Sequence, residues 1–121
     1  MTDAMDEVVA IEKGFWTKAD DPQYFRDHVA DGGLVVIEPM GFVEKQQSVE
    51  MTADKAWTDV EMLDLQVRQV APDFIIVVYH GRGRRSPEEE PYQGSIASSY
   101  VQQDGHWRLA LSAHQPWTPK A

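Results

Sequence analysis

Along residues 3–19 (DAMDEVVAIEKGFWTKA), apolar residues recur at Met5, Val8, Ile11 and Phe15, with Val9 and Trp16 beside them. That spacing is close to the i, i+3, i+4, i+7 stripe of an amphipathic helix. Acidic residues crowd its start and Lys18 sits near its end, which suits the helix dipole. Gly14 interrupts it, at about 1 kcal/mol relative to Ala unless something packs closely there. Residues 20–33 (DDPQYFRDHVADGG) predict a second, shorter helix. Asp21 is a good N-cap, Pro22 fits the first helical position, and Gly32 and Gly33 stop it. Tyr24, Phe25 and Val29 are expected to face inward.

After these helices the period changes. LVVIEPMG reads as a short strand ended by Pro39 and Gly41, and VEKQQSVEMTADKAW as a third helix with a weak apolar stripe. VEMLDLQVRQV alternates, with Leu63, Leu65 and Val67 on one side and Asp64, Gln66 and Arg68 on the other. Pro72-Asp73 is a turn. FIIVVYHGR is a continuous apolar run, as in a central strand covered on both faces. YQGSIASSYVQQ and HWRLALSAHQ flank Asp104-Gly105, a strong hairpin signal. A two-residue turn there sets Tyr100 opposite Leu109 and Ser98 opposite Leu111. It gathers Ile96, Ser98, Tyr100, Trp107, Leu109 and Leu111 on one face, and Ala97, Ser99, Val101, Arg108, Ala110, Ser112 and His114 on the other. The bulkier face is expected to lie under the helices. Helices first and long strands afterwards mean α+β.

The chain has 121 residues, so one domain spanning 1–121 is expected. It has no cysteine, which removes disulfides, thiol nucleophiles and thiolate metal sites and fits a cytoplasmic location. No apolar run approaches the roughly 20 residues of a membrane span. Eleven Lys and Arg against 20 Asp and Glu give a net charge of −9, which repels phosphate backbones. The stretch HGRGRRSPEEEPYQG looks at first like an RNA-binding tract. Its three glutamates cancel Arg82, Arg84 and Arg85, and it bridges two antiparallel strands, so a solvated hairpin end is expected and nucleic acid is not. The four histidines show no ligand spacing, so neither a metal nor another cofactor is expected.

Taken together, EKGFW, AWTD, VVYHGRGRR, PYQGSIASSYV and DGHWRLALSAHQ resemble the nuclear transport factor 2-like superfamily over almost the whole chain. The likeness is to the bacterial branch grouped with SnoaL-like polyketide cyclases and the association domain of calcium/calmodulin-dependent kinase. The resemblance implies a cystatin-like cone: a strongly curved antiparallel sheet wrapped around helices, open to a pocket at one end. It also implies a homodimer joined through sheet faces. Relatives commonly carry His-Gln-x-Thr-Pro straight after the last apolar residues; here His114 and Gln115 come two residues later.

Catalytic members of that superfamily work by general acid–base chemistry in an apolar pocket, where burial shifts pKa values and a Tyr hydroxyl can donate to an oxyanion. His80 and Tyr100 are the candidates for such roles here. Tyr79 and His80 cannot both face the pocket. Pairing across Pro72-Asp73 places His80 with Leu65 and Val67, and Tyr79 with Gln66 and Arg68, so His80 is expected inward. Asp64 falls on the Arg68 face and is a poor general base. The candidate ligand walls are Trp16, Tyr24, Phe25, Trp57, Ser98 and Trp107, although tryptophans so placed are more often plain core. The expected function is a domain binding a small apolar or aromatic molecule. The alternatives are a cofactor-independent isomerase, dehydratase or cyclase, and a non-catalytic dimerisation or interaction domain.

Overall fold

Helix α1 (Ala4–Thr17) starts at Asp3, whose side chain accepts from Asp6 N at 2.8 Å. Helix α2 (Pro22–His28) starts at Asp21, which accepts from Gln23 N at 3.0 Å, with Pro22 in the first turn. Gly14 is where the two helices meet. A β-carbon there would lie 1.8 Å from the Tyr24 hydroxyl, which donates to the Ile11 carbonyl at 2.9 Å. The glycine admits that crossing, and the lost helix propensity is offset by the contact.

The computed structural model describes residues 3–37, 40–53 and 55–118. After α2 come β1 (Val29–Ile37), β2 (Gly41–Glu44), α3 (Lys45–Glu50), β3 (Thr58–Ala71), β4 (Phe74–Arg84), β5 (Tyr92–Gln103) and β6 (His106–Pro116). The six strands form one curved sheet in the order β2-β1-β6-β5-β4-β3. Every neighbouring pair is antiparallel except β1 and β6, which run parallel. The architecture is therefore α+β, with the first two helices leading into the sheet.

Several local expectations are corrected. α2 ends at His28, four residues before the glycines expected to stop it; Gly32, at φ 83°, instead sits where the β1–β6 pairing shifts register. The expected third helix shrinks to six residues, and a short strand, β2, precedes it. Pro39, expected to end the first strand, lies outside the described residues.

The largest corrections come from β-bulges, where one extra residue flips every later side chain to the other face. The turn at Pro72-Asp73 forms as expected, pairing Ala71 with Phe74. The register then slips by one at Val70, so Val67 pairs with Val77 instead of Val78. A second slip at Asp64-Leu65 pairs Leu63 with His80. Asp64 and Asp59, each within a slip, have φ of 53° and 52°. In the final hairpin Asp104 and Gly105 have φ of 54° and 78°, as a type I′ turn requires. Tyr100 opposes Leu109 as expected, but the register shifts beyond it, pairing Ser99 with Leu111 and Ser98 with Ser112. Leu111 turns outward, 43% exposed, and Ser112 turns inward, where it is buried.

The core lies between the helices and the inner face of the sheet. Val8, Trp16, Val29, Ile75, Val77, Tyr79, Ile96, Tyr100, Trp107 and Leu109 form its cluster of buried apolar residues.

Candidate functional site

Glu12 is the unexpected residue of that core. It sits one helical turn after Val8 and one before Trp16, so it shares the buried face of α1 and is 3% exposed. Its carboxylate accepts from Tyr79 Oη (2.5 Å) and Ser98 Oγ (3.0 Å) at one oxygen, and from Tyr100 Oη (2.6 Å) at the other. Trp16 Nε1–H donates to Tyr79 Oη at 2.9 Å, so the hydroxyl that donates to Glu12 is itself held. Burial pushes the Glu12 carboxyl up from its ordinary range, and the three hydroxyl donors pull it part of the way back. The phenols of Tyr79 and Tyr100 are pushed up by burial and by the Glu12 charge, and stay protonated donors. The same two causes raise Tyr24 to about 12.

The network continues to β6. Ser98 Oγ and Ser112 Oγ are 2.9 Å apart, and His114 Nε2 lies 3.1 Å from Ser112 Oγ. Burial lowers the His114 imidazole to about 4, so it is neutral at pH 7. Its Nδ1 is shut off from solvent and has no hydrogen-bond partner among the described residues.

These groups back onto a cavity of about 440 Å³. Phe15, Trp16, Phe25, Val29, Trp57 and Leu109 give it an apolar wall, and Glu12, Ser112 and His114 supply polar groups. Trp16, Trp57 and Tyr92 cluster with ring centroids 5.6 to 6.0 Å apart. Trp16 packs closely on the sheet because β4 carries glycine there: a β-carbon on Gly81 would come within 2.6 Å of its ring. The Arg85 guanidinium rests 4.7 Å from the centre of the Trp57 ring and also lines the cavity. The charged loop is thus more than a solvated connector: Arg84 donates to the Glu89 carbonyl at 2.8 Å, and Arg85 folds back over the aromatic cluster.

The expected site residues divide into four groups. Trp16, Phe25 and Trp57 line the cavity. Ser98 and Tyr100 stand behind it as partners of Glu12. Tyr24 and Trp107 line a separate groove with Glu7, His28, His106 and Arg108. His80 is a correction. It lies on the outer face of the sheet, 2.9 Å from Ser95 Oγ and stacked on Trp117, because the slips in β3 turn Tyr79 inward in its place. The position of Glu12 in the apolar stripe of α1 was a legible signal for it; the inward placement of Ser112 and His114 was not, because the bulge beside Ala110 has no sequence mark.

No protein-family model matches the sequence, and no curated protein matches it. Solved structures do. A nuclear transport factor 2-like protein from Cytophaga hutchinsonii superposes with a TM-score of 0.78 at 16% identity, covering 96% of this chain and 100% of that one. This chain has the nuclear transport factor 2-like fold. An uncharacterized protein with a cystatin-like fold from Caulobacter vibrioides gives 0.73 at 18% identity, over 94% and 89% of the two chains. The calcium/calmodulin-dependent kinase II hub homology domain of Chlamydomonas reinhardtii gives 0.70 at 17%, over 97% and 100%. Among the described residues no helix is long and apolar enough to cross a membrane.

Proposed function

We propose that this nuclear transport factor 2-like domain binds a small, flat, largely apolar molecule in the cavity above Glu12. The observation that carries the reading is the cavity itself. Its volume of about 440 Å³ suits a small organic ligand, its wall is mostly aromatic and aliphatic, and its few polar groups lie close together. Glu12 is saturated by protein donors, so its part is to hold Tyr79, Tyr100 and Ser98 in place. Ser112, His114 and Arg85 are among the polar groups left on the wall to orient a ligand.

A second reading, acid–base catalysis, is favoured by one specific feature. Two titratable groups, Glu12 and His114, lie on the same cavity and are joined through Ser98 and Ser112. An isomerase or dehydratase needs such a pair. Here His114, not His80, would face the substrate.

For assembly we propose a homodimer through the outer sheet face. Leu34, Phe42, Leu65, Val78 and Leu111 are exposed apolar side chains on the sheet, Phe42 at 79%. Pairing with a second copy covers such a face economically.

The binding reading is tested by mass spectrometry of small molecules that copurify with the native protein, beside a Ser48→Trp variant that fills the cavity from α3. A ligand carried by wild type and lost from the variant supports it. Identical small-molecule content in both contradicts it.

A further inference from the structure

Three hydrogen bonds run in series from the buried carboxylate to the cavity wall: Glu12 to Ser98 (3.0 Å), Ser98 to Ser112 (2.9 Å), and Ser112 to His114 Nε2 (3.1 Å). Each serine hydroxyl has one hydrogen to give, so the directions of these bonds depend on one another. An ionised Glu12 can only accept. Ser98 then donates to Glu12, Ser112 donates to Ser98, and Ser112 accepts from His114. The ring is therefore the Nε2–H tautomer, and Nδ1 is a bare lone pair.

A protonated Glu12 must donate its hydrogen in turn. Donating to Tyr100 leaves that phenol's hydrogen without an acceptor, because Glu12 is the one partner of its hydroxyl among the described residues. Donating to Tyr79 has the same effect, because the other partner of that hydroxyl is the Trp16 N–H, itself a donor. A buried hydroxyl hydrogen without an acceptor costs about 1–3 kcal/mol. Donating to Ser98 leaves no phenol hydrogen unpaired; the one unpaired group is then the ring's Nδ1, which lacks a partner among the described residues in either arrangement. Ser98 then donates to Ser112, Ser112 donates to Nε2, and the ring hydrogen sits on Nδ1. The two arrangements differ by one proton taken up, with each hydrogen along the chain shifted by one bond.

We propose that Ser98 and Ser112 form a relay through which the protonation state of Glu12 sets the tautomer of His114, a residue of the cavity wall. The relay does not depend on the binding reading above. The titratable and charged groups around Glu12 are Tyr24 on α2, Tyr79 on β4, Tyr92 and Tyr100 on β5, His114 on β6, and Arg85 in the loop before β5. The tyrosines have raised values, so Glu12 is the group that drives the relay, and its own upward shift moves that event toward neutrality.

The test is a nitrogen-15 NMR titration of the His114 ring in the ligand-free protein, from about pH 9 down to about pH 5, above the ring's own titration. The expected result is a change from Nε2–H to Nδ1–H while the ring stays neutral, with the same midpoint as the Glu12 carboxyl carbon. Ser98→Ala and Ser112→Ala should each abolish the change. Tyr79→Phe, which leaves the serine path intact, should keep it. One tautomer throughout in wild type would overturn the relay, and so would a change that survives in Ser98→Ala. No ligand enters the experiment, so its outcome stands apart from the fate of the binding reading.

Discussion

Glu12 fixes three hydroxyl groups with one side chain, and its removal leaves the Tyr79 and Tyr100 hydroxyls buried without an acceptor, while Ser98 keeps Ser112. Glu12→Ala is expected to cost about 3 kcal/mol or more, read as a fall in the urea midpoint. His80→Ala, on the outer face, is expected to leave that midpoint within about 1 kcal/mol of wild type. His114 and Glu12 also give stability a pH dependence of opposite sign. The folded value of His114 is about 4, below its ordinary 6.5, so the unfolded chain takes up the proton first. Its contribution is complete above pH 6.5 and is lost as pH falls through about 4, by up to roughly 3 kcal/mol. The folded value of Glu12 is raised above 4.5, so its contribution is present below 4.5 and is lost as pH rises through the folded value. Urea melts across this range should therefore lose their rising limb in His114→Asn and keep the falling one. At this scale the aromatic wall was legible, because Trp16, Phe25 and Trp57 are large apolar residues beside helix and strand ends. Glu12 was legible only as a charged residue on an apolar stripe.

The bulges of β3 and β6 decide which residues reach the site. They curve the sheet and exchange its faces: Tyr79 comes in and His80 goes out, Ser112 comes in and Leu111 goes out. The Asp21 cap, the Pro72-Asp73 turn and the Asp104-Gly105 hairpin were readable, since each depends on residues next to one another. A bulge depends on how far a strand must bend to cover the helices, so the alternating pattern of β3 does not reveal it. Asp64 carries the backbone strain of one bulge, at φ 53°. Asp64→Val is expected to cost about 1–2 kcal/mol and Asp64→Gly to be neutral or stabilising. Circular dichroism melts of the two variants check this, and equal melting temperatures would remove strain from the account of that bend.

The molecule as a whole presents an interior cavity and an outer sheet face with exposed apolar side chains, so the proposed ligand and the proposed second copy would use different surfaces. If the outer face pairs with a second copy, Leu111→Arg should turn a dimer into a monomer in light scattering and leave the cavity intact. The fold class was legible because helix and strand periods separate cleanly along the chain. The parallel pairing of β1 with β6 was not, because it joins residues about 80 positions apart with no shared local signal.

The central claim is that the cavity, and not the outer face, takes a small apolar molecule. It is tested most directly by following backbone and indole N–H signals by NMR during a titration with naphthol, a flat apolar probe bearing one hydroxyl. Saturable binding of one naphthol per chain is expected, with the largest shifts at the Trp16 and Trp57 indoles and at Ser112 and His114. Shifts that never saturate, or that map to Val78, Ala97 and Leu111 while both indoles stay still, would contradict it.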